Sequence, residues 1–252
     1  MVSRDRIVEA LDTYLDAQNF QDAAPIGLQV EGADEVQRVT LGVSACLELF
    51  REAVARKAQM VVVHHGMFWK NESQVIRGPL RERIRFLLNH ELTLLAYHLP
   101  LDAHLEAGNN ARLVAHLEAR RGEPFGLYHG VPIGFEGLFD EPVPLRSVAD
   151  RLAALTGRAP LVLTGGKSEV RRFGVVSGGA GDLFPQAIER RLDLFVTGEP
   201  YEPAQAFCRE TGIHFIALGH YNSETLGVKA LSGWLANELR LEAEFVDIPN
   251  PA

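Results

Sequence analysis

The sequence predicts an α/β fold made of two lobes, each with a mostly parallel sheet. Apolar runs such as Met60–Val63 alternate with amphipathic stretches, and strands buried on both faces of a helix-covered parallel sheet have this composition. The segment that begins at Gly42 also resembles the one that begins at Gly174, in the order strand, turn, Leu-Phe-bearing helix and strand. This weak internal repeat predicts two similar halves.

Length and composition narrow the possible classes of protein. A chain of 252 residues with 46% hydrophobic residues can bury a sizeable core. Its formal net charge of -8, with basic residues scattered in short pairs, argues against a nucleic-acid or anionic-membrane partner. Two cysteines are too few for a disulfide framework, so we expect Cys46 and Cys208 to be reduced, buried thiols.

The apolar segments predict a cytoplasmic protein with no membrane contact. The N-terminus lacks the unbroken apolar stretch of a signal peptide, and we therefore interpret it as a helix. No apolar run reaches the roughly 20 residues that a membrane span needs.

The first lobe is predicted to span residues 1–123. It begins with a helix from Arg4 to Ala17, in which apolar residues recur at helical spacing and Ser3 is the N-cap. Strand and helix then alternate up to a strand with its exit loop at residues 92–102, and a helix from Asn109 to Arg121 closes the lobe. This βαβαβ order predicts a parallel sheet.

The second lobe is predicted to span residues 124–252. A Gly- and Pro-rich stretch at about residues 124–171 indicates a smaller α+β segment, with a helix around Leu145–Thr156 and a short strand after it. The βαβαβ pattern then restarts at Gly174, and a final helix begins near Ser223.

Three motifs carry residues of the kind that bind metals. The first is His64-His65-Gly66 at the end of a Val-rich strand, where Gly66 allows the turn that brings both imidazoles to one site. Its alternative is a pair of hydrogen-bonded loop histidines. The second motif, residues 98–102 (HLPLD), offers Asp102 as a ligand and His98 as a proton carrier, unless His98 is a structural histidine before a proline turn.

The third motif, residues 219–224 (GHYNSE), places His220 in a loop and Glu224 in the first turn of the final helix. Its alternative is helix capping without a metal. The motif follows a strand at the repeat position of the second motif, and ligands bind at the carboxyl ends of the strands of open α/β sheets. We therefore expect these groups to act together.

The combined set contains three imidazoles and two carboxylates, from His64, His65, Asp102, His220 and Glu224. Mixed nitrogen and oxygen donors suit zinc, manganese, iron or nickel. Five ligands are too many for one tetrahedral ion, so we expect two divalent ions per subunit. Such a pair, roughly 3.5–4 Å apart, makes a hydroxide nucleophile from water near neutral pH.

Two further segments are weaker candidates. Residues 177–183 (SGGAGDL) form either a tight turn or a phosphate cradle, and they lack the lysine of a P-loop. Glu199 lies at the repeat position of the double histidine and is expected to line the cleft.

The motifs in this order resemble the family of GTP cyclohydrolase 1 type 2 homologues, which are dinuclear metal-binding proteins similar to the NGG-interacting factor. The resemblance includes residues 24–32, 60–69, 97–111 and 219–231 and runs through nearly the whole chain. It implies a two-lobed α/β subunit, a toroidal homohexamer and a dimetal site in the cleft between the lobes. The ligands that it implies are again His64, His65, Asp102, His220 and Glu224.

The function that we expect is hydrolysis of a small nucleotide-like or pterin-related molecule by a metal-dependent, GTP cyclohydrolase-like enzyme that opens a cyclic amidine or amide. His98 is the candidate catalytic residue. The alternative is a non-catalytic metal-binding, metal-handling or scaffold oligomer with the same ligands. A nucleic-acid adaptor is disfavoured by the net charge of -8.

Overall fold

The computed structural model describes residues 1–252, which fold into alternating helices and strands, and the predicted α/β class is confirmed. The strands are β1 (Val2–Ser3), β2 (Gly27–Val30), β3 (Glu35–Val36), β4 (Arg38–Ser44), β5 (Met60–His65), β6 (Thr93–Ala96), β7 (Arg120–Tyr128), β8 (Val131–Pro144), β9 (Leu161–Leu163), β10 (Glu169–Val175), β11 (Leu194–Thr197), β12 (His214–Ala217) and β13 (Glu242–Phe245). The helices are α1 (Arg4–Tyr14), α2 (Leu47–Ala55), α3 (Gly78–Asn89), α4 (Leu99–Ala103), α5 (Asn109–His116), α6 (Leu145–Thr156), α7 (Phe184–Glu189), α8 (Ala204–Thr211), α9 (His220–Ser223) and α10 (Thr225–Glu238). Short 3-10 turns occur at Ala17–Asn19 and Gly181–Leu183.

The chain divides into two compact units. The first contains Met1–Leu101 and Gly227–Pro249, and the second contains Asp102–Leu226 and Asn250–Ala252. The chain therefore passes from one unit to the other inside α4 and again inside α10. The lobes predicted at residues 1–123 and 124–252 divide the sequence at one point, and that division stays a prediction.

The first unit is built on a five-stranded sheet in the order β13-β4-β5-β6-β2. The pairs from β13 to β6 are parallel, and β2 is antiparallel to β6. Helices α2 and α3 cover one face through a core that contains Leu49, Phe50, Val61, Val63 and Leu87. This arrangement directs the ends of β5 and β6, and hence the histidine motifs that follow them, toward the same sheet edge.

The second unit has a six-stranded sheet in the order β7-β8-β10-β11-β12-β9. Strands β10, β11 and β12 are parallel, as the sequence repeat predicts. Alternate residues of β11 point to opposite faces: Val196 packs in the core beneath α5 and α6, whereas Phe195 contacts Phe184 and Phe215 on the other face. The sheet is thus buried on both sides, which explains its continuous apolar runs.

Several predicted boundaries are wrong for local reasons. Helix α1 ends at Tyr14 instead of Ala17, because Asp16 has a left-handed backbone with φ of 52°. Helix α5 ends at His116 instead of Arg121, since Glu118 has φ of 58° and Arg120 begins β7. Residues 99–103, predicted as a loop, form the short helix α4.

The region predicted as a smaller α+β segment begins with a long β-hairpin, and the helix predicted at Leu145–Thr156 is α6. Cys208 is buried as expected, but Cys46 is only partly buried at the N-terminus of α2. No helix in the chain has both the length and the apolar character needed to cross a bilayer.

Candidate metal centre

The first unit gathers three histidines at the carboxyl ends of its parallel strands. His64 and His65 end β5, and His98 directly precedes α4, after β6. Their ring nitrogens include one potential ligand atom each within 4.8 Å of one another. The predicted double-histidine motif and His98 therefore meet in one cluster, with His64 fully buried and the other two partly buried.

Hydrogen bonds orient the rings in this histidine cluster. His64 Nδ1 lies 3.0 Å from the Tyr97 carbonyl oxygen, so the proton resides on Nδ1 and the lone pair on Nε2. His65 Nδ1 lies 3.2 Å from Ser44 Oγ, on the adjacent strand β4. Backbone carbonyls and hydroxyls that hold one imidazole nitrogen in this way set which nitrogen faces a metal.

His98 is oriented by Asp22, a residue that the sequence analysis missed. The His98 Nδ1–H donates to Asp22 Oδ1 at 2.9 Å, and the carboxylate also accepts the N–H groups of Leu99 at 3.0 Å and Ala23 at 2.6 Å. The Asp22 side chain is only 1% exposed. Burial raises the pKa of Asp22, but these hydrogen bonds and the His98 charge outweigh it, so the pKa lies below its ordinary value.

In the second unit, Asp102 is held in place by neighbouring polar groups. It is 5% exposed and lies on α4, and its Oδ1 accepts hydrogen bonds at 2.9 Å from Asn109 Nδ2 and from Ser177 Oγ. Asn110 connects the same region, because its Nδ2 donates to the Asp102 carbonyl and its Oδ1 accepts from the Ser177 N–H. These contacts fix the position of the carboxylate that the sequence analysis selected.

The second unit also brings His220 and Glu224 together. His220 Nε2 lies 3.2 Å from Glu224 Oε1, and His220 Nδ1–H donates to Glu199 Oε1 at 2.6 Å. Burial lowers the pKa of His220, but the two carboxylates outweigh it and raise the pKa to about 9. His220 opens the short helix α9 instead of lying in a loop, and Glu224 lies between α9 and α10.

The Gly-rich segment 177–183 supports these carboxylates. Gly178 has φ of +65°, and a Cβ added there would lie 2.4 Å from Glu224 Oε1 and 3.2 Å from His220 Nε2. Its N–H donates to Ser223 Oγ at 2.9 Å. The glycine thus leaves room for the His220 and Glu224 side chains, which is a role that sequence spacing did not reveal.

The donor set in each unit fits a transition metal. The first unit offers imidazoles whose lone pairs are set by hydrogen bonds on the opposite nitrogen, and the second offers two carboxylates with an imidazole. These are the nitrogen and oxygen donors that zinc, manganese, iron and nickel accept. Both free cysteines lie outside the cluster of His64, His65 and His98.

Comparison with known proteins gives matches over nearly the entire chain. The model of the family Duf34/NIF3 (NGG1p interacting factor 3) matches residues 2–251. A GTP cyclohydrolase 1 type 2 homolog of Yersinia pestis is 44% identical over 96% of both chains. One from Archaeoglobus fulgidus is 42% identical over 96% of this chain and 97% of its own.

Solved structures show the same fold. Protein ybgI, described as of unknown function, is 40% identical with a TM-score of 0.94, and each chain is covered completely. A protein of Thermus thermophilus is 38% identical with a TM-score of 0.90, again over all of both chains. Reduced HcgD from Methanocaldococcus jannaschii, at 20% identity and a TM-score of 0.85, covers 98% of both chains and shares the fold alone.

Proposed function

Because this chain belongs to the Duf34/NIF3 family, we propose that it is a dinuclear metal-dependent hydrolase of a small nucleotide-like or pterin-related molecule. The observation that carries the proposal is the cluster of His64, His65 and His98 with their ligand atoms within 4.8 Å. The curated relatives named GTP cyclohydrolase 1 type 2 homolog support the choice of substrate class.

The proposed ligands of two divalent ions are His64, His65, Asp102, His220 and Glu224. The hydrogen bond from His64 to the Tyr97 carbonyl supports His64, since it places the lone pair on Nε2, the nitrogen that would bind a metal. The polar contacts of Asp102 with Asn109 and Ser177 support a fixed carboxylate ligand. His220 must give up its Nε2 proton before that nitrogen can bind an ion.

The two units support the proposal by analogous arrangements. In each, a histidine follows a parallel strand and donates its Nδ1 proton to a carboxylate: His98 to Asp22, and His220 to Glu199. In each, an acidic residue follows the histidine four positions later, as Asp102 or Glu224. Oriented imidazoles of this kind are typical of metal sites and of proton-transfer sites.

His98 is the proposed proton carrier. When bound, a pair of divalent ions lowers the pKa of water and polarises the group under attack. Asp22 holds the His98 Nδ1 proton, so Nε2 is the atom that accepts a proton from the nucleophile and returns it to the leaving group. His98 is 22% exposed, which lets it exchange that proton with solvent.

The test of this function is elemental analysis of protein purified without an affinity tag. We expect about two transition-metal ions per chain in the wild type and loss of both in a His65→Ala, Glu224→Ala double variant. The matched control carries His90→Ala and Glu210→Ala, two exposed positions, and should keep its metal. A metal-free wild type after reconstitution would sink the dinuclear proposal.

A His98→Gln variant separates catalysis from metal binding alone. We expect it to retain its ions and to lose at least about a hundredfold in the hydrolysis of nucleotides or cyclic amides found by screening. Unchanged turnover would remove His98 from the reaction. Loss of metal with loss of activity would make His98 a ligand, which its distance to His64 and His65 permits.

The proposed assembly is a toroidal homohexamer. Its support is the sequence similarity to the family, because the structure contains one chain. The proposed partners are thus further copies of this chain and a small-molecule substrate.

A further inference from the structure

The first unit contains a cavity beside the histidine cluster that the proposed metal site does not use. Its volume is about 660 Å³, and its lining includes Phe20, Asp22, Phe68, Trp69, Lys70 and Gln74. Pockets that bind small molecules commonly have volumes of about 300–1,000 Å³ and combine apolar walls with a few polar groups. The cavity therefore has the size and the composition of a small-molecule site.

Two of the lining residues also touch the histidine cluster. Asp22 accepts the Nδ1 proton of His98, and the Trp69 ring lies edge-to-face with the His98 ring at a centroid distance of 5.3 Å. Trp69 is also 6.0 Å from the ring of His65. A molecule in the cavity would accordingly lie next to the proposed proton carrier.

The walls of the cavity favour a planar ring. Phe20, Phe68 and Trp69 are each only partly buried, so their rings offer accessible surface to a ligand. Planar heteroaromatic rings stack on such side chains, and each stacked base gains roughly 1–3 kcal/mol. The amide of Gln74, whose Nε2 donates to the Trp69 carbonyl at 3.2 Å, adds hydrogen-bonding capacity at the rim.

The charge of the lining favours an anion. Asp22 and Lys70 are its charged residues, and the Asp22 carboxylate is buried and occupied by its three donors. Lys70 is exposed, and its ammonium donates one hydrogen bond to the Asp22 carbonyl oxygen. An ammonium has three donors, so two remain for a ligand. The Lys70 N–H, bonded to Ala23 at 2.8 Å, fixes this segment against residues 22–23.

We propose that this cavity binds the planar heteroaromatic ring of an anionic small molecule, with the ring stacked on Trp69 and the anionic group at Lys70. The proposal deepens the proposed function, on which it rests for the reaction that such a ligand would undergo next to His98. Binding itself depends on the cavity and not on the metal ligands.

The experiment is calorimetric titration of the full-length protein with GMP, AMP and UMP, each with the metal removed and with the metal restored. Guanosine tests the need for the anionic group, and ribose 5-phosphate tests the need for the ring. We expect the nucleotides to bind in both metal states, with the purines tighter than UMP because they stack over a larger area. Ribose 5-phosphate binding as tightly as GMP would overturn the proposal.

Variants assign the binding to the two residues. Trp69→Ala should weaken GMP binding by at least about tenfold, whereas Trp69→Phe, which keeps a ring, should stay within about threefold. Lys70→Met should weaken GMP but not guanosine, and Lys70→Arg should restore GMP. The controls are Trp234→Phe and Arg146→Met, two positions outside the cavity.

Other readouts exclude different explanations. Circular dichroism and urea unfolding establish that each variant is folded, and the Trp69→Phe and Lys70→Arg pair keeps the test valid if an alanine variant is not. Unchanged GMP affinity in folded Trp69→Ala, or a changed molecular mass that makes the cavity an interface between copies, would overturn the proposal. Metal content reports on the proposed metal site separately, so the failure of one proposal leaves the other intact.

Discussion

Asp22 shows how one buried carboxylate prepares a histidine for chemistry. It lies in the loop before β2, where the sequence offers no periodicity to distinguish it from exposed aspartates. Only the fold reveals that it accepts hydrogen bonds from His98, Leu99 and Ala23. His64, His65 and His98, by contrast, were identified from the sequence, because a histidine beside an apolar strand end is conspicuous.

We predict that Asp22→Asn destabilises the protein by about 1–3 kcal/mol at pH 7. An asparagine amide would direct N–H groups toward at least one of the donors that Asp22 now satisfies. Urea unfolding measures the change, and Asp150→Asn, at a side chain that is 73% exposed, is the control with an expected change under about 0.5 kcal/mol.

The pH dependence of this contribution follows from the lowered pKa of Asp22. A carboxyl whose pKa falls on folding stabilises the native state above its ordinary pKa, 3.8, and loses that contribution as the pH falls through the folded value. The stability difference between wild type and Asp22→Asn should therefore shrink below about pH 4. A difference that is constant down to pH 2 would contradict this assignment.

The two cysteines should differ in reactivity. Burial raises the pKa of the Cys208 thiol to about 11, and its side chain is inaccessible, whereas Cys46 is partly exposed and its sulfur accepts the Leu49 N–H. Because the thiolate is the reactive form, iodoacetamide at pH 8 should modify Cys46 alone in the native protein and both thiols in urea. Mass spectrometry measures this, with Cys46→Ala as the control, and equal native labelling of Cys208 would refute it.

At the scale of elements, the parallel core was predictable and its borders were not. The Val-rich runs and the repeat from Gly42 and Gly174 predict β4-β5-β6 and β10-β11-β12, which are parallel in the structure. The β7-β8 hairpin was missed because Gly122 and Pro124 suggest irregular chain. They lie where the register shifts, and such irregularities tolerate residues that a regular strand excludes.

The turn after β10 allows a direct test at this scale. Gly178→Ala should place a methyl group 2.4 Å from Glu224 Oε1, and we expect it to lower both stability and metal content. Gly157→Ala is the matched control, because Gly157 has a similar φ of +69° and nothing within 4 Å. The control should lose about 1–2 kcal/mol from backbone strain alone and keep its metal. Equal effects of the two variants on bound metal would show that the Glu224 contact is unimportant.

At the scale of the whole molecule, the sequence repeat indicated two halves but could not reveal where the chain divides in space. Hydrophobic patterning reports which face of an element is buried and not which element covers it. The final segment, residues 227–249, belongs to the first unit, where β13 pairs with β4 and Trp234 stacks on Tyr14 at a centroid distance of 4.3 Å. Those pairings join residues more than two hundred positions apart.

The proposed homohexamer predicts a mass in solution of six times the 27.8 kDa of one chain. Each chain has a net charge of -8, so repulsion between copies should make the assembly more stable at physiological salt than at very low salt. Multi-angle light scattering after gel filtration measures the mass. A single chain at all salt concentrations would refute the hexamer, and the His65→Ala, Glu224→Ala variant shows whether assembly needs metal.

The passage of the chain from the first unit to the second and back has a consequence for biosynthesis. Strand β4 lies inside the order β13-β4-β5-β6-β2, so its outer neighbour is translated last. The continuous stretch Asp102–Leu226 contains every strand of the other sheet and leaves the ribosome earlier. The sheet that is begun first during translation is therefore the one that is completed last, and a nascent-chain chaperone would find its open edge at β4.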